Sequence, residues 1–403
     1  MNLHKTEQWY TSSLNFNNNV TSTCNFKDKI KIHDVSLRDG EQQSGIVFNS
    51  DQKLELATLM SEIGIHRIEA GMPAVSKDDE QAIKRIVKSN LKSEIFAFGR
   101  CMVDDVKRAQ DCGVKGIVIE IPSNEELIKN AYGWDLEKAK YLSIEATQYA
   151  KEAGLYTVFF PIDMTRASID WVLDLIEDVA KNGHMDALAV VDTFGVLAPH
   201  TVPYLINVIK SRINKPIETH FHDDFGLGSA NTIMGLAAGA DVAHTTISAI
   251  GERAGNASYE DVVLSLLTMY GVDLKLDYSK IYPLSKRMRE FSGVNIRGNR
   301  GIVGDDIFKI ESGIVAAWYN NVKDKNPLLV SPYLPNLVGQ NNSEIVLGKH
   351  SGVPSIESWL NDNNYNFDSK TKLSILDDVK LLAYKKNGLL TKEDFDSIIK
   401  KYI

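Results

Sequence analysis

The sequence predicts an α/β chain, a (β/α)8 TIM barrel followed by a small, mainly α-helical C-terminal subdomain. Three observations predict it. A phrase of amphipathic helix, glycine and short apolar strand recurs five times. Three further strand candidates raise the strand count to eight between residues 30 and 270. Polar or charged residues follow those strands, which is where such a barrel gathers its chemistry.

The phrase runs as Leu59-Met-Ser-Glu-Ile-Gly64 before the strand 65–70, and Ala109-Gln-Asp-Cys-Gly113 before 116–120. It returns as Ala150-Lys-Glu-Ala-Gly154 before 156–160, Ala180-Lys-Asn-Gly183 before 187–191, and Leu236-Ala-Ala-Gly-Ala240 before 242–247. In each, the glycine is expected to take the left-handed conformation that ends a helix, and the β-branched run after it to be a strand buried on both faces. The remaining strands are 31–37, 95–99 and 217–222. An open, doubly wound sheet is the alternative, but no Gly-x-Gly-x-x-Gly follows the first strand. The predicted organisation is an N-terminal arm (1–28) held by Trp9 and Tyr10, the barrel (29–275), a linker or lid (276–345) and a helical subdomain (346–403). In the tail, Leu373, Leu376, Val379, Leu381, Leu382, Leu389, Phe395 and Ile398 carry the helical periodicity.

Bulk properties narrow the function. A formal charge of −8 over 403 residues argues against nucleic acid or an anionic membrane as partner. Cys24, Cys101 and Cys112 form no disulfide framework, which fits a reducing, cytoplasmic setting. No run of ~18 apolar residues spans a membrane, and the polar first 28 residues lack the apolar core of a signal peptide.

His220 and His222 alternate with Thr219 and Phe221, so on a strand both imidazoles face one side and can grip one divalent ion. Ser36-Leu-Arg-Asp-Gly-Glu-Gln42 adds a carboxylate and an arginine at another strand end. One Asp and two His, with open positions for water and an oxo acid, make a site able to polarise a carbonyl; Mg2+, Mn2+ and Zn2+ all suit it. The other rim residues are Glu69, Arg100, Glu120, Asp163, Asp192 and Thr193, and Gly251-Glu-Arg-Ala-Gly-Asn256 is a glycine-rich loop after the last strand.

From residue 29 to the end, the chain resembles the metal-dependent isopropylmalate, citramalate and homocitrate synthases and their lyase relatives. Four motifs carry the resemblance: Leu37-Arg-Asp-Gly-Glu-Gln42, His220-Phe-His-Asp223 with Gly226 to Asn231, Gly251-Glu-Arg-Ala-Gly-Asn-Ala257, and Gly348-Lys-His-Ser-Gly352. It implies Asp39, His220 and His222 as metal ligands, with Asn256 nearby or ligating. It implies that Arg38 holds the 2-oxo acid and steadies its developing oxyanion, and that Gln42, Arg100 and Thr193 line the acceptor pocket. Glu69 matches an acidic position there and reads equally as a salt bridge to a barrel arginine. The implied reaction is a Claisen-type condensation of an acyl-CoA, acetyl-CoA first among them, with a 2-oxo acid, in a homodimer whose helical subdomain caps the partner's barrel. A leucine-feedback domain is not expected.

Three departures stand out. Ile162, Val315 and Val330 occupy positions where these synthases carry a catalytic Glu, His and Tyr. Making an enolate from a thioester still requires a base, and Asp163, His350, Tyr333 and Glu311 are the candidates. Asp163 and His350 join Arg38 as the expected catalytic set, although His350 reads equally as a loop histidine. The competing functions are a metal-dependent carbon–carbon lyase or aldolase that needs no CoA, and a non-catalytic binder of a metal and a small carboxylate. Retention of Arg38, Asp39, His220 and His222 together argues against the last.

Overall fold

The computed structural model describes residues 3–403. The chain forms two compact units: Ser13–Ile296, and Met1–Ser12 together with Arg297–Ile403.

In the first unit, eight parallel strands close into a barrel in sequence order: β1 (Lys31–Asp34), β2 (Arg67–Glu69), β3 (Glu94–Arg100), β4 (Gly116–Pro122), β5 (Tyr156–Ile162), β6 (Ala187–Asp192), β7 (Ile217–Phe221) and β8 (Val242–Thr245). The ring closes through β1 and β8, with His33 opposite His244. β6 and β7 are buried along their whole length, as strands covered by helices on one side and packed barrel on the other must be. Every predicted strand is present. β1 stops at Asp34, three residues before its expected end, because the chain turns there. Val35 C=O accepts from the N–H groups of Arg38, Asp39 and Gly40, and Asp34 Oδ1 caps Ser36 N at 2.9 Å. That turn delivers Arg38 and Asp39 to the barrel mouth.

Glycine ends the helices as expected at Gly64 and Gly113, both left-handed. Gly183 departs from the expectation, with φ −101°. Its role is spatial: a Cβ there would stand 2.5 Å from Thr147 Oγ1 and 3.0 Å from Val179 O.

The second unit contains helices Gly313–Val322, Val353–Asp362, Ser369–Lys386 and Lys392–Ile399. Its core is built on Leu347, Ile356, Leu360, Ile375, Val379 and Phe395. Leu373, Leu381 and Leu389 are exposed, contrary to the periodicity read from the sequence. The buried face of Ser369–Lys386 is the narrow stripe through Ile375, Leu376, Val379 and Ala383, and at 100° per residue Leu381 points away from it. Within this unit the first residues are tied down: Tyr10 N donates to Pro332 O at 2.8 Å, and Trp9 bridges Tyr333. Among the described residues, no helix is long and apolar enough to cross a membrane.

Candidate active site

Three elements assemble the barrel-mouth cluster. The turn after β1 supplies Arg38, Asp39 and Gln42; β7 and its exit supply His220 and His222; the loop after β8 supplies Asn256. One donor atom from each of Asp39, His220 and His222 lies within 4.8 Å of the others, and all three residues are buried. Both imidazoles turn Nε2 inward: His220 Nε2 is 3.4 Å from Asp39 Oδ2 and 3.4 Å from His222 Nε2. His222 Nδ1 faces Gly255 O at 3.1 Å, so it carries the proton and leaves the Nε2 lone pair free.

Asn256 Nδ2 donates to Asp39 Oδ1 at 2.8 Å, while Asn256 Oδ1 is buried with no hydrogen-bond partner among the described residues. A carboxylate, two lone-pair nitrogens and an orphaned amide oxygen are the donor set of a hard or borderline divalent cation. Electrostatics favour the same occupant. Burial holds the His220 imidazole down to about 3, so it is neutral, with Asp39 only partly offsetting that effect. Burial pushes the Asp39 carboxyl up, but Arg38 and the two histidines pull it further the other way, well below the usual carboxylate range. The site therefore sets the Asp39 carboxylate beside a neutral His220 imidazole.

The loop carrying Asn256 is shaped by close approach. Gly251 (φ 149°) leaves no room for a side chain beside Asn256 and Asp39, and a Cβ on Gly255 (φ 88°) would collide with the Ala249 carbonyl. Arg253, itself at φ 59°, clasps Asp224 at 2.8 and 3.0 Å and donates to Thr193 O.

Arg38 is the pivot of the mouth. Its Nε donates to Glu69, its Nη1 reaches Asp39 Oδ2 at 3.0 Å and Gln42 Oε1 at 3.3 Å, and its guanidinium lies 3.7 Å over the Phe98 ring. Nη2 is buried and makes no hydrogen bond among the described residues. Glu69 is thus the arginine's salt-bridge partner. Burial raises its carboxyl, but Arg38 and His33 outweigh that and bring it to about 2. A cavity of about 270 Å3, bordered by Gln42, Gly71, Met72 and Val75, opens beside Arg38.

The other sequence-derived candidates are engaged elsewhere. Arg100 at the end of β3 is half-exposed and forks onto Asp105 at 2.8 and 3.0 Å. Asp163, left-handed at φ 61°, gives both carboxylate oxygens to Arg166 at 2.7 and 2.8 Å. Thr193 Oγ1 accepts from Asp163 N at 2.8 Å. His350 belongs to the second unit, where its N–H donates to Glu311 Oε1 at 2.9 Å and its side chain is exposed.

Sequence reasoning gave no role to Glu120, although it placed it on the rim. It lies on β4, two residues before the strand ends, in register with Arg100, and its carboxylate accepts no hydrogen bond among the described residues. Burial raises that carboxyl to about 7, with Arg38 and Arg100 restraining the rise. Also missed were Arg67, Glu218, His244 and His33, which lie one layer deeper in the barrel. Glu218 was within reach: it precedes His220 by two in the same inward row.

Comparison with known proteins finds relatives along most of the chain. The HMGL-like family profile matches residues 29–288. A putative (R)-citramalate synthase of Archaeoglobus fulgidus is 37% identical over 373 residues, covering 92% of this chain and 75% of that one. A homocitrate synthase of Methanothermobacter thermautotrophicus is 33% identical over 382 residues, covering 95% and 96%. A probable 2-isopropylmalate synthase of Ignicoccus hospitalis is 38% identical over 363 residues, covering 89% of each. Among solved structures, the HMG-CoA lyase of Bacillus subtilis superposes with a TM-score of 0.62 at 21% identity, over 67% of this chain and 96% of that one, which bears on fold alone. By the extent of that profile match, and by relatives above 30% identity along nearly the whole chain, the protein belongs to the HMGL-like family.

Proposed function

We propose that the protein condenses an acyl-CoA, in the first instance acetyl-CoA, with a 2-oxo acid. The observation that carries the reading is the convergence of Asp39, His220, His222 and the orphaned Asn256 Oδ1 beside the unpaired Nη2 of Arg38. Relatives named as citramalate, homocitrate and isopropylmalate synthases at 33–38% identity support it. A divalent cation held by Asp39, His220, His222 and Asn256 would supply Lewis acidity toward the ketone oxygen.

The chain's own groups do the rest. Arg38 is fixed by Glu69, Asp39 and Phe98, so its free Nη2–H is preorganised to donate to the acceptor as negative charge grows on the ketone oxygen. Gln42, held on Arg38 Nη1, shapes the same face. Glu120 is the group best suited to take the α-proton of the acyl-CoA. It is half-buried and accepts no hydrogen bond among the described residues, and its affinity for a proton is matched to neutral pH. The resulting carbanion forms the C–C bond to the ketone carbon, and water then breaks the C–S bond, releasing the CoA thiol. Asp163, saturated by Arg166, acts in this reading as a brace for the rim through Thr193.

The test is thiol release from acetyl-CoA by metal-reconstituted protein, offered pyruvate, 2-oxoisovalerate, 2-oxoglutarate, oxaloacetate and glyoxylate in turn. Free CoA with one acceptor supports condensation and names the acceptor. No CoA release from metal-loaded protein, with turnover of a hydroxy acid in its absence, overturns it in favour of a lyase.

A further inference from the structure

Below the barrel-mouth cluster, His33, Glu218 and His244 form a second group whose donor atoms lie within 4.8 Å of one another, all buried. It is a poor place for a second cation. Glu218 Oε1 already receives Arg67 Nη1 at 2.7 Å, and Glu69 receives Arg38, so each inner carboxylate is matched by a guanidinium. Arg38 also reaches Asp39, so two carboxylates share that one guanidinium and the excess negative charge lies at the mouth.

The hydrogen bonds of this layer point to another role. His220 must present the Nε2 lone pair toward Asp39 and His222 to bind a cation, which puts its proton on Nδ1. Nδ1 lies 3.3 Å from His244 Nδ1, which must then accept. That acceptor state puts the His244 proton on Nε2, 2.7 Å from Glu218 Oε2, which accepts it. Arg67, stacked over Phe96 and Tyr156 at 4.9 and 4.6 Å, completes the chain at Glu218 Oε1. Only one assignment of protons satisfies every link once the metal-facing lone pair is fixed. Read in the other direction, the Arg67–Glu218 pair dictates the tautomer of His244, and through it that of His220.

We infer that His244 and Glu218 are positioning residues, which lock the orientation and tautomer of His220 so that its Nε2 is delivered to a divalent cation. The inference rests on the metal-site reading above. Partners of this kind raise ligand basicity, and their loss costs roughly 10–100-fold in metal affinity.

The test is equilibrium binding of Co2+ and Zn2+, by competition with a chelating indicator, to the full-length protein and its variants. His244→Leu removes the acceptor and is expected to weaken binding roughly 10–100-fold. His244→Asn offers an amide oxygen near the place of Nδ1 and is expected to recover most of the loss. Thr245→Val alters the adjacent residue of β8, whose hydroxyl has no hydrogen-bond partner among the described residues, and is expected to leave affinity unchanged. His244→Leu binding as tightly as the unmodified protein, while His220→Ala does not bind, overturns the inference and leaves the metal site standing. Equal binding by His220→Ala removes the metal site itself. A readout independent of variant folding is the 15N shifts of the unmodified protein's histidines. An Nδ1-protonated His220 with an Nε2-protonated His244 supports the relay; the opposite pair refutes it.

Discussion

Replacing Arg38 with lysine keeps the charge and removes the fork, so it separates two functions of the guanidinium. In the native protein one planar group serves Glu69, Asp39 and Gln42 at once and leaves Nη2 for the acceptor. A lysine ammonium cannot span the same partners in that geometry. Loss of one preorganised donor to a developing oxyanion costs roughly 100- to 1,000-fold in kcat, or ~2.7–4 kcal/mol. A second effect falls on Glu69. Its carboxyl is depressed from 4.5 to about 2 against the opposing effect of burial, worth on the order of 3 kcal/mol of preference for the ionised form. Because its folded value is depressed, that stability is present above pH ~4.5 and disappears as pH falls through ~2. With the arginine gone the folded value climbs, and acid unfolding of Arg38→Lys should begin at higher pH. The assay is kcat and KM for the accepted 2-oxo acid, with metal content by atomic emission and acid unfolding by tryptophan fluorescence. Expected are a fall in kcat of at least 100-fold with metal retained, and an upward shift of the acid midpoint. A kcat within threefold of the native value at full metal content would refute the role given to Nη2.

Four further outcomes follow from the same geometry. His220→Ala should lose bound metal on dialysis along with turnover, measured by metal analysis and CoA release. Glu120→Gln should lower kcat by roughly 100-fold or more and remove the acid limb of the native kcat–pH profile, where activity falls as the carboxylate is protonated. Retention of that limb in the variant would assign it to another group. Burial raises Asp34 from 3.8 to about 7, with its Ser36 hydrogen bonds opposing. The folded state therefore holds a proton that the unfolded chain releases, and stability should decline as pH rises from ~4 toward ~7. Asp34→Asn should abolish that slope, gaining at most ~4 kcal/mol at pH 8 in denaturant titrations. Burial also drives the Cys101 thiol far up, so native protein should resist alkylation there while the half-buried Cys24 reacts first, as read by mass spectrometry of labelled peptides.

The barrel was legible because five of its eight strands follow a helix and a glycine within a few residues, a signal contained within a dozen residues. The exception at Gly183 is instructive. Two glycines with the same sequence context can be required for different reasons, one by φ and the other by the nearness of Thr147. The cluster of Asp39, His220 and His222 was legible through a period of two along β7 and through the acid after Arg38. The partners of Arg100 and Asp163 were not, since Asp105 and Arg166 come from the rim segments that follow each strand and only the folded turn shows which way they face. The layer of His33, Glu218 and His244 lay further out of reach. It depends on the register of β1, β7 and β8 around the ring, which no local pattern encodes.

The Gly251–Asn256 loop has a bearing on how this protein can change. At Gly255 any side chain meets the Ala249 carbonyl, and at Gly251 it meets the amide that holds Asp39. Neither glycine touches a substrate in the proposed reaction, yet a methyl group at either would displace Asn256 from the carboxylate it steadies. In a library of random variants these two positions should therefore tolerate as little as the ligands themselves. The exposed Glu252 between them is free of that constraint. What this corner of the barrel tolerates is set by free volume: a Cβ would stand 1.8 Å from the Ala249 carbonyl oxygen at Gly255 and 2.3 Å from Asn256 Nδ2 at Gly251, and chemistry enters only through those neighbours.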